Sequence, residues 1–198
     1  MKLICFILGY LCGNVLTAEF VAKKFTGKKA GEIGTGNPGM ANIMAEAGKK
    51  AGFLVLAGDI GKTLLAFVIT WLLAGSYLGK EDIFLWSGFG ALVGHNFPFW
   101  RGFKGGKGVT VTCTWLIILM PVWGTLSCMI GGAATIITGY LPLGAVLIPL
   151  MAMPFAFCFE GIKAGIFMVL AFVMMIIKHY RGLINIVKGK EKKKSRSV

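Results

Sequence analysis

The run FLVLAGDIGKTLLAFVITWLLAGSY, Phe53–Tyr77, decides the class of fold. At 1.5 Å per residue, a helix of this length crosses the ~30 Å apolar core of a bilayer. Similar runs lie on both sides of it, and the chain is 56% hydrophobic and only 15% charged. Soluble domains average about 45–50% apolar and about 25% charged residues. The sequence therefore predicts an all-α integral membrane protein and excludes a disordered chain or a disulfide-rich secreted domain.

The other predicted spans lie in five further apolar segments. These are Leu3–Val21, Ile83–Phe97, Val109–Leu141, Leu143–Phe159 and Ile162–Ile177. A cleaved signal peptide is the alternative for the first of them, but cleavage after Ala18 would place bulky Leu16 where a small residue is needed. Gly9 and Gly13 in the same segment have the spacing of closely packed helices.

Positive charge is concentrated in three segments and predicts the topology. The segments 23–50, 101–107 and 178–198 hold six, three and eight of the 21 Lys and Arg residues. The positive-inside rule places all three in the cytoplasm. No basic segment alternates with aromatic residues, so we predict no nucleic-acid partner despite the net charge of +13.

An even number of spans must join the last two basic segments if both are cytoplasmic. Val109–Leu141 then supplies two short spans that turn near Pro121–Gly124. The prediction is one membrane domain over 1–198, a bundle of seven transmembrane helices. Its N-terminus is outside, its C-terminus is cytoplasmic, and it ends in a basic tail at 188–198. Within the polar segment 23–50 we expect a short interfacial helix at Ala41–Ala47.

Two Gly-rich loops, each in a basic segment of the chain, are the strongest local signals of function. They are Ile33–Gly39 and Trp100–Gly108. Glycine allows backbone N–H groups to turn inward as an anion-binding nest, and Lys104 and Lys107 add the charge that a phosphate requires. The spacing is not that of a Walker A loop. The alternative is a flexible basic loop on an anionic membrane surface.

Three candidate functional residues, Asp59, Lys62 and His95, lie in or beside the predicted spans. Asp59 and Lys62 share a helix face and can pair, or Lys62 can extend to the membrane surface. His95, just before the second loop, is either structural or a proton donor or base. The five cysteines lack metal-ligand spacing, so we predict small buried hydrophobic residues and no metal site.

Both loops resemble motifs of the bacterial acyl-phosphate:glycerol-3-phosphate acyltransferases of the PlsY type. Ile33–Gly39 with Ala41-Asn42 resembles "GSGNxGATN", and Gly94–Pro98 with Phe103–Val109 resembles "GHxxP…FKGGKGVAT". The weaker similarities are Asp59–Lys62 to "DxxKG" and Lys178–Arg181 to "RHRxN". The resemblance covers nearly the whole chain and includes seven spans with cytoplasmic motif loops.

The resemblance implies transfer of a fatty acyl group from acyl phosphate to the 1-hydroxyl of glycerol 3-phosphate, giving lysophosphatidic acid for phospholipid synthesis. Acyl phosphate is already activated, so the site needs alignment and charge stabilisation rather than a protein nucleophile or cofactor. The implied catalytic residues are Thr35, His95 and Lys104. The implied substrate-binding residues are Gly34, Gly36, Asn37, Gly39, Asn42, Asp59, Lys62, Gly105, Gly106, Lys107, Gly108, His179 and Arg181.

The resemblance also implies a location and partners. The enzyme would lie in the bacterial inner membrane among membrane lipids, with a cytoplasmic active site and an acyl-phosphate-forming enzyme as partner. The sequence departs from the family motifs: Thr35 stands for Ser, Ala45 for Arg and Gly182 for Asn. Loss of the bidentate Arg favours an alternative, a non-catalytic relative that binds lipid or a partner enzyme. Asp59 and Lys62 keep a small transporter open as a third hypothesis.

Overall fold

The computed structural model describes residues 1–191 and 193, in which helices are the regular secondary structure. The α-helices are α1 (Lys2–Gly13), α2 (Thr17–Thr26), α3 (Met40–Ala74), α4 (Lys80–Asn96), α5 (Val109–Leu119), α6 (Pro121–Thr138), α7 (Leu141–Phe155) and α8 (Ile162–Val187). Short 3-10 turns form at Ala30–Glu32 and Phe99–Arg101, and a π-helical turn, Ala156–Glu160, follows α7. The all-α prediction is confirmed for these residues. Most of the predicted tail beyond residue 191 lies outside the described residues.

Two compact units divide the chain, Met1–Thr114 and Trp115–Val198, with the boundary inside α5. The first unit holds α1 to α4 and both Gly-rich loops. The second holds α6 to α8. The single domain over 1–198 stays a prediction.

Five helical stretches of the described chain are long and apolar enough to cross a membrane. They are Lys2–Thr26, Met40–Ala74, Pro121–Thr138, Leu141–Glu160 and Ile162–Val187. Helix α4 has 17 residues and the apolar α5 has 11, so both are shorter. Leu72, Ile136 and Ile162 are 74–76% exposed on the protein itself, a placement that suits contact with lipid. Over its described residues, the chain is an all-helical integral membrane protein.

The first predicted span is broken where the sequence suggested one continuous helix. Helix α1 ends at Gly13, and α2 begins at Thr17 and extends to Thr26, beyond the predicted end at Val21. At the break, the carbonyl of Asn14 accepts a hydrogen bond from Trp100 Nε1 at 2.9 Å, and the carbonyl of Val15 accepts one from Lys62 Nζ at 2.8 Å. The helix opens here because its carbonyls bind side chains of other elements.

Helices extend into two segments that were predicted as loop or tail. The expected short helix at Ala41–Ala47 forms the start of α3, which continues past a kink at the non-helical Gly48 (φ 87°, ψ 170°). Helix α8 continues ten residues beyond the predicted end at Ile177. The break in Val109–Leu141 falls at Met120, where Pro121 begins α6, close to the predicted turn.

Glycines allow α1 and α4 to pack at backbone contact distance. A Cβ atom at Gly9 or Gly13 would overlap the carbonyl oxygen of Ser87 or Ala91 on α4. The predicted close packing at these two glycines is confirmed. On α4, Gly90 and Gly94 meet backbone carbonyls of α1 in the same way. This contact fixes the end of α4 that carries His95.

The cysteine prediction holds only in part. Cys5 is buried, Cys12, Cys113 and Cys128 are half-buried, and Cys158 is exposed. The prediction of a buried residue is wrong for Cys158, which lies in the π-helical turn after α7.

Candidate active site

The first Gly-rich loop folds over the start of α3 through the buried side chain of Asn42. Its Oδ1 accepts hydrogen bonds from the Thr35 backbone N–H at 2.8 Å and the Thr35 hydroxyl at 3.1 Å. Its Nδ2 donates to the carbonyl of Ile33 at 3.1 Å. A Cβ at Gly34 would overlap Asn42 Oδ1, so only glycine permits this approach. The loop is thereby held at the N-terminus of α3, an end that favours anions.

The remaining predicted residues of this loop lie at or near its surface. Gly34 and Thr35 are exposed, whereas Gly36, Asn37 and Gly39 are half-buried. Thr35 is therefore exposed at the loop surface, while its backbone N–H and its hydroxyl both donate to Asn42.

The second loop turns back onto the C-terminus of α4. The N–H of Gly105 donates to the carbonyl of Asn96 at 3.1 Å, and that of Gly106 donates to the carbonyl of His95 at 3.0 Å. These bonds satisfy carbonyls that a helix end would otherwise leave open. The predicted anion nest is therefore wrong for Gly105 and Gly106, because their N–H donors are already used.

The charged side chains of this loop remain at its surface. Lys104 is exposed and Lys107 is half-buried, while the buried Gly108 (φ +80°) leads into α5. The lysine side chains of this loop thus carry positive charge, while the Gly105 and Gly106 N–H groups donate within the protein.

A cluster of buried ionisable groups lies beneath the second loop. Asp59 and Lys62 on α3 and His95 on α4 are each no more than 6% exposed. Lys62 Nζ donates to Asp59 Oδ1 at 2.8 Å, to His95 Nδ1 at 2.7 Å and to the carbonyl of Val15 at 2.8 Å. An ammonium has three donors, so these three acceptors use all of them. The predicted pairing of Asp59 with Lys62 is confirmed.

The ring of His95 is fixed from both sides. Because Lys62 only donates, Nδ1 of a neutral His95 accepts, and its proton is assigned to Nε2. Nε2 lies against Gly106, where a Cβ atom would overlap it. His95 therefore connects the ion pair in α3 to the backbone of the second loop.

Glu19 on α2 joins the two loops. One carboxylate oxygen accepts from the N–H of Ala30, in the turn before the first loop, at 3.0 Å. The other pairs with Arg101 Nε at 2.8 Å, and Arg101 Nη1 donates to the carbonyl of Lys104 at 2.6 Å. A Cβ at Gly31 would come within 2.6 Å of the Arg101 guanidinium. Both basic loops therefore lie at the same end of the first unit.

The opposite end of the first unit is marked by a separate ion pair. Lys2 Nζ lies 3.1 Å from Asp82 Oδ2, which places the N-terminus beside the link between α3 and α4. Asp82 lies in the first turn of α4, at the end opposite to His95.

His179 and Arg181 belong to the second unit, on α8. His179 is buried with Nδ1 3.0 Å from the carbonyl of Met175, whereas Arg181 is exposed. At Gly182, a Cβ would come within 2.6 Å of Pro142, so an Asn there would require Pro142 to move. Local packing therefore explains this departure from the family motif.

Comparison with known proteins places these features in a family. The sequence model of the family described as glycerol-3-phosphate acyltransferase matches residues 3–189. The chain belongs to this family. The match includes both Gly-rich loops, the buried ionisable cluster and the α8 residues.

Similar proteins of this family come from distant bacteria. Glycerol-3-phosphate acyltransferase 1 of Lactobacillus johnsonii is 34% identical over 97% of this chain and 92% of its own length. The glycerol-3-phosphate acyltransferase of Neisseria meningitidis is 32% identical over 94% of each chain. A crystal structure of PlsY, an integral membrane glycerol 3-phosphate acyltransferase in its glycerol 3-phosphate form, has a TM-score of 0.84 at 24% identity. It covers 97% of this chain and 94% of that chain, which shows a shared fold.

Sequence analysis missed three residues that organise this site: Asn14, Glu19 and Arg101. Asn14 accepts from the N–H of Phe99 at 3.0 Å through its side chain, in addition to its contact with Trp100. The available signal was that Asn14 and Glu19 are polar residues inside an otherwise apolar run. A polar residue in a span needs a partner, but the sequence does not say which one.

Proposed function

We propose that this protein is a membrane acyltransferase that transfers a fatty acyl group to the 1-hydroxyl of glycerol 3-phosphate, giving lysophosphatidic acid. The observation that carries the proposal is the family's pair of Gly-rich loops, brought to one end of the first unit by Glu19 and Arg101. Both loops carry groups suited to phosphate, which glycerol 3-phosphate contains.

We infer that acyl phosphate is the acyl donor. The oxygen of the 1-hydroxyl attacks the acyl carbonyl carbon and forms the ester bond. The bond from that carbon to the phosphate oxygen breaks, and the phosphate leaves with the electron pair and takes up the hydroxyl proton. Because the donor is an activated anhydride, the protein needs to align the reactants and stabilise negative charge, without forming an acyl-enzyme.

In this mechanism, exposed and half-buried groups of the two loops contact the substrates. Lys104 and Lys107 bind phosphate oxygens, since each supplies a positive charge on the second loop. Thr35 and Asn37 offer a hydroxyl and an amide on the first loop, beside the N-terminus of α3. Asn42 supports the reaction by holding Thr35 in place.

Asp59, Lys62 and His95 act as positioning residues. Lys62 has no donor left for a substrate, because all three are used inside the protein. Of the two roles expected for His95, ordering of the loop fits its burial beneath Gly106 better than proton transfer to substrate. Asp59 and Lys62 then set the orientation of the ring on which the second loop rests.

We further propose a seven-span topology in the inner membrane of a bacterium. The N-terminus is outside, and the active site and C-terminus are cytoplasmic, as the concentration of Lys and Arg in three segments favours. Helices α4 and α5 would be the short spans. Cysteine replacements at Glu81 and Glu191 in a cysteine-free protein test this, with labelling by an impermeant maleimide in intact cells. Labelling of residue 81 alone is expected, and equal labelling at both positions would contradict the topology.

The activity itself is tested with purified protein and acyl phosphate. Glycerol 3-phosphate, glycerol 2-phosphate and dihydroxyacetone phosphate are offered as acceptors, and lipid products are identified by mass spectrometry. Lysophosphatidic acid and inorganic phosphate should form in equal amounts. A folded protein that yields neither product would support the non-catalytic relative suggested by Ala45. An acyl group trapped on the protein would contradict direct transfer.

A further inference from the structure

A basic cavity lies beside the two loops, outside the residues assigned above to substrates. Its volume is about 740 Å³. The residues that line it are Glu19, Phe20, Lys23, Lys24, Lys29, Trp100 and Arg101. The only acid in this lining is Glu19, which already pairs with Arg101 at 2.8 Å. Three exposed lysines therefore give the cavity a net positive charge.

Aromatic side chains lie next to these cations. Phe20 is 67% exposed and Trp100 is 49% exposed. The indole N–H of Trp100 is fixed to the carbonyl of Asn14 at 2.9 Å, so its ring has a defined position. Cations combined with exposed aromatic residues at the end of a span are typical of the headgroup region of a membrane.

Arg101 links this cavity to the second loop. Its Nε pairs with Glu19, and its Nη1 bonds to the carbonyl of Lys104 at 2.6 Å. An anion in the cavity would therefore lie next to a guanidinium that already supports that loop.

We propose that this cavity, termed here the basic cavity, binds the phosphate headgroup of an anionic lipid from the surrounding leaflet. It is a second phosphate site, and it does not depend on acyl transfer. The headgroup is held by Lys23, Lys24 and Lys29, and the acyl chains lie along the exposed face of α2 near Phe20. A membrane phosphatidic acid, lysophosphatidic acid and inorganic phosphate share the required anion, so the test separates them.

The experiment uses the full chain in phosphatidylcholine nanodiscs with a photoactivatable phosphatidic acid at increasing mole fraction. Crosslinked peptides are mapped by mass spectrometry. Saturable crosslinking is expected in residues 17–29 and 99–101. Removal of three charges in K23Q/K24Q/K29Q should raise the half-saturating mole fraction by roughly 100-fold, since each lysine near an anionic surface contributes about a factor of five.

The matched control removes the same charge elsewhere. K28Q/K188Q/K190Q replaces three exposed lysines outside the cavity and should change half-saturation by less than about twofold. An equal loss in both triple variants would overturn the proposal in favour of general surface attraction. Unchanged crosslinking in K23Q/K24Q/K29Q would overturn it as well.

Competition identifies the source of the phosphate. Displacement by lysophosphatidic acid but not by millimolar inorganic phosphate supports a lipid site, and equal displacement by both would overturn the lipid assignment. Acyl transfer is measured in the same nanodiscs. An active protein without crosslinks at the cavity overturns this inference alone, whereas an inactive protein with saturable crosslinks argues against the proposed function alone.

Discussion

Replacement of Lys62 by Met is the sharpest test of the buried ionisable cluster. Met has a similar length and no charge, so the substitution removes the ion pair while largely preserving volume. It leaves Asp59 as a buried charge without the Lys62 ammonium 2.8 Å from its Oδ1. It also removes the donor to His95 Nδ1 and to the carbonyl of Val15.

The size of the effect follows from burial. The side chains of Lys62 and Asp59 are 5% and 4% exposed. Removing one partner of such a pair costs about 3–5 kcal/mol. In a protein of this length, each kcal/mol shifts Tm by about 2–4 °C, so K62M should unfold roughly 6–20 °C lower. Misplacement of the loop above His95 should lower kcat/KM by about 100-fold.

The double variant D59N/K62M separates stability from positioning. It removes both charges together, so most of the lost stability should return. The donor to His95 stays absent, so activity should remain low. Unfolding is followed in mild detergent with a thiol-reactive dye, which detects the buried Cys5 when the other four cysteines have been replaced by Ala. A K62M protein that unfolds within 2 °C of wild type, or a double variant with full activity, would refute the reasoning.

Three further substitutions test the loops. Gly106→Ala should lower kcat more than about tenfold, because the new Cβ would overlap His95 Nε2. The control is Gly132→Ala, which should retain activity in the same assay because its new Cβ would have no neighbouring atom within 4 Å. Glu19→Gln weakens the ion pair with Arg101, so the KM for glycerol 3-phosphate should rise about tenfold. In a double-mutant cycle with Arg101→Gln, additive effects on the free energy derived from KM would show that the two residues act separately. Lys104→Ala should lower kcat/KM by about 10- to 100-fold, whereas Lys188→Ala should not lower it. Full activity in a folded Lys104→Ala protein would show that Lys104 does not bind phosphate.

The sequence predicted the central parts of the long apolar helices better than it predicted their ends. Helix α3 covers the predicted run Phe53–Tyr77 as far as Ala74 and ends three residues early, and Pro121 begins α6 next to the break at Met120. It did not predict the break at Asn14–Leu16, because that break depends on Trp100 and Lys62, which are distant in the chain. Helix ends in polar segments were also missed, since residues such as those in Lys178–Val187 are compatible with either helix or tail.

The site was predicted at the level of residue types and only partly at the level of roles. The spacing of Asp59 and Lys62 on one helix face indicated that they can pair, with extension of Lys62 to the membrane surface as the alternative, and the structure shows the pair. The same sequence could not show that Gly105 and Gly106 would use their N–H groups on carbonyls of α4. Closely spaced glycines indicate a backbone that can adopt many conformations, but tertiary contacts determine which acceptor each backbone N–H group binds.

Two of the departures from the family motifs, those at positions 182 and 45, carry different weight for catalysis. Gly182 is accounted for by Pro142, which occupies the space of a side chain, so the missing Asn follows from packing on α8. Ala45 is exposed, and nothing in the structure explains why it is not Arg. The Arg at position 45 is the family residue whose loss is unexplained, whereas the cluster of Asp59, Lys62 and His95 is complete. Burial of ionisable groups inside a span costs free energy, and such groups are therefore typical of functional sites. This cluster contacts the second loop directly through His95. Its presence favours a working acyltransferase over a relative that only binds lipid.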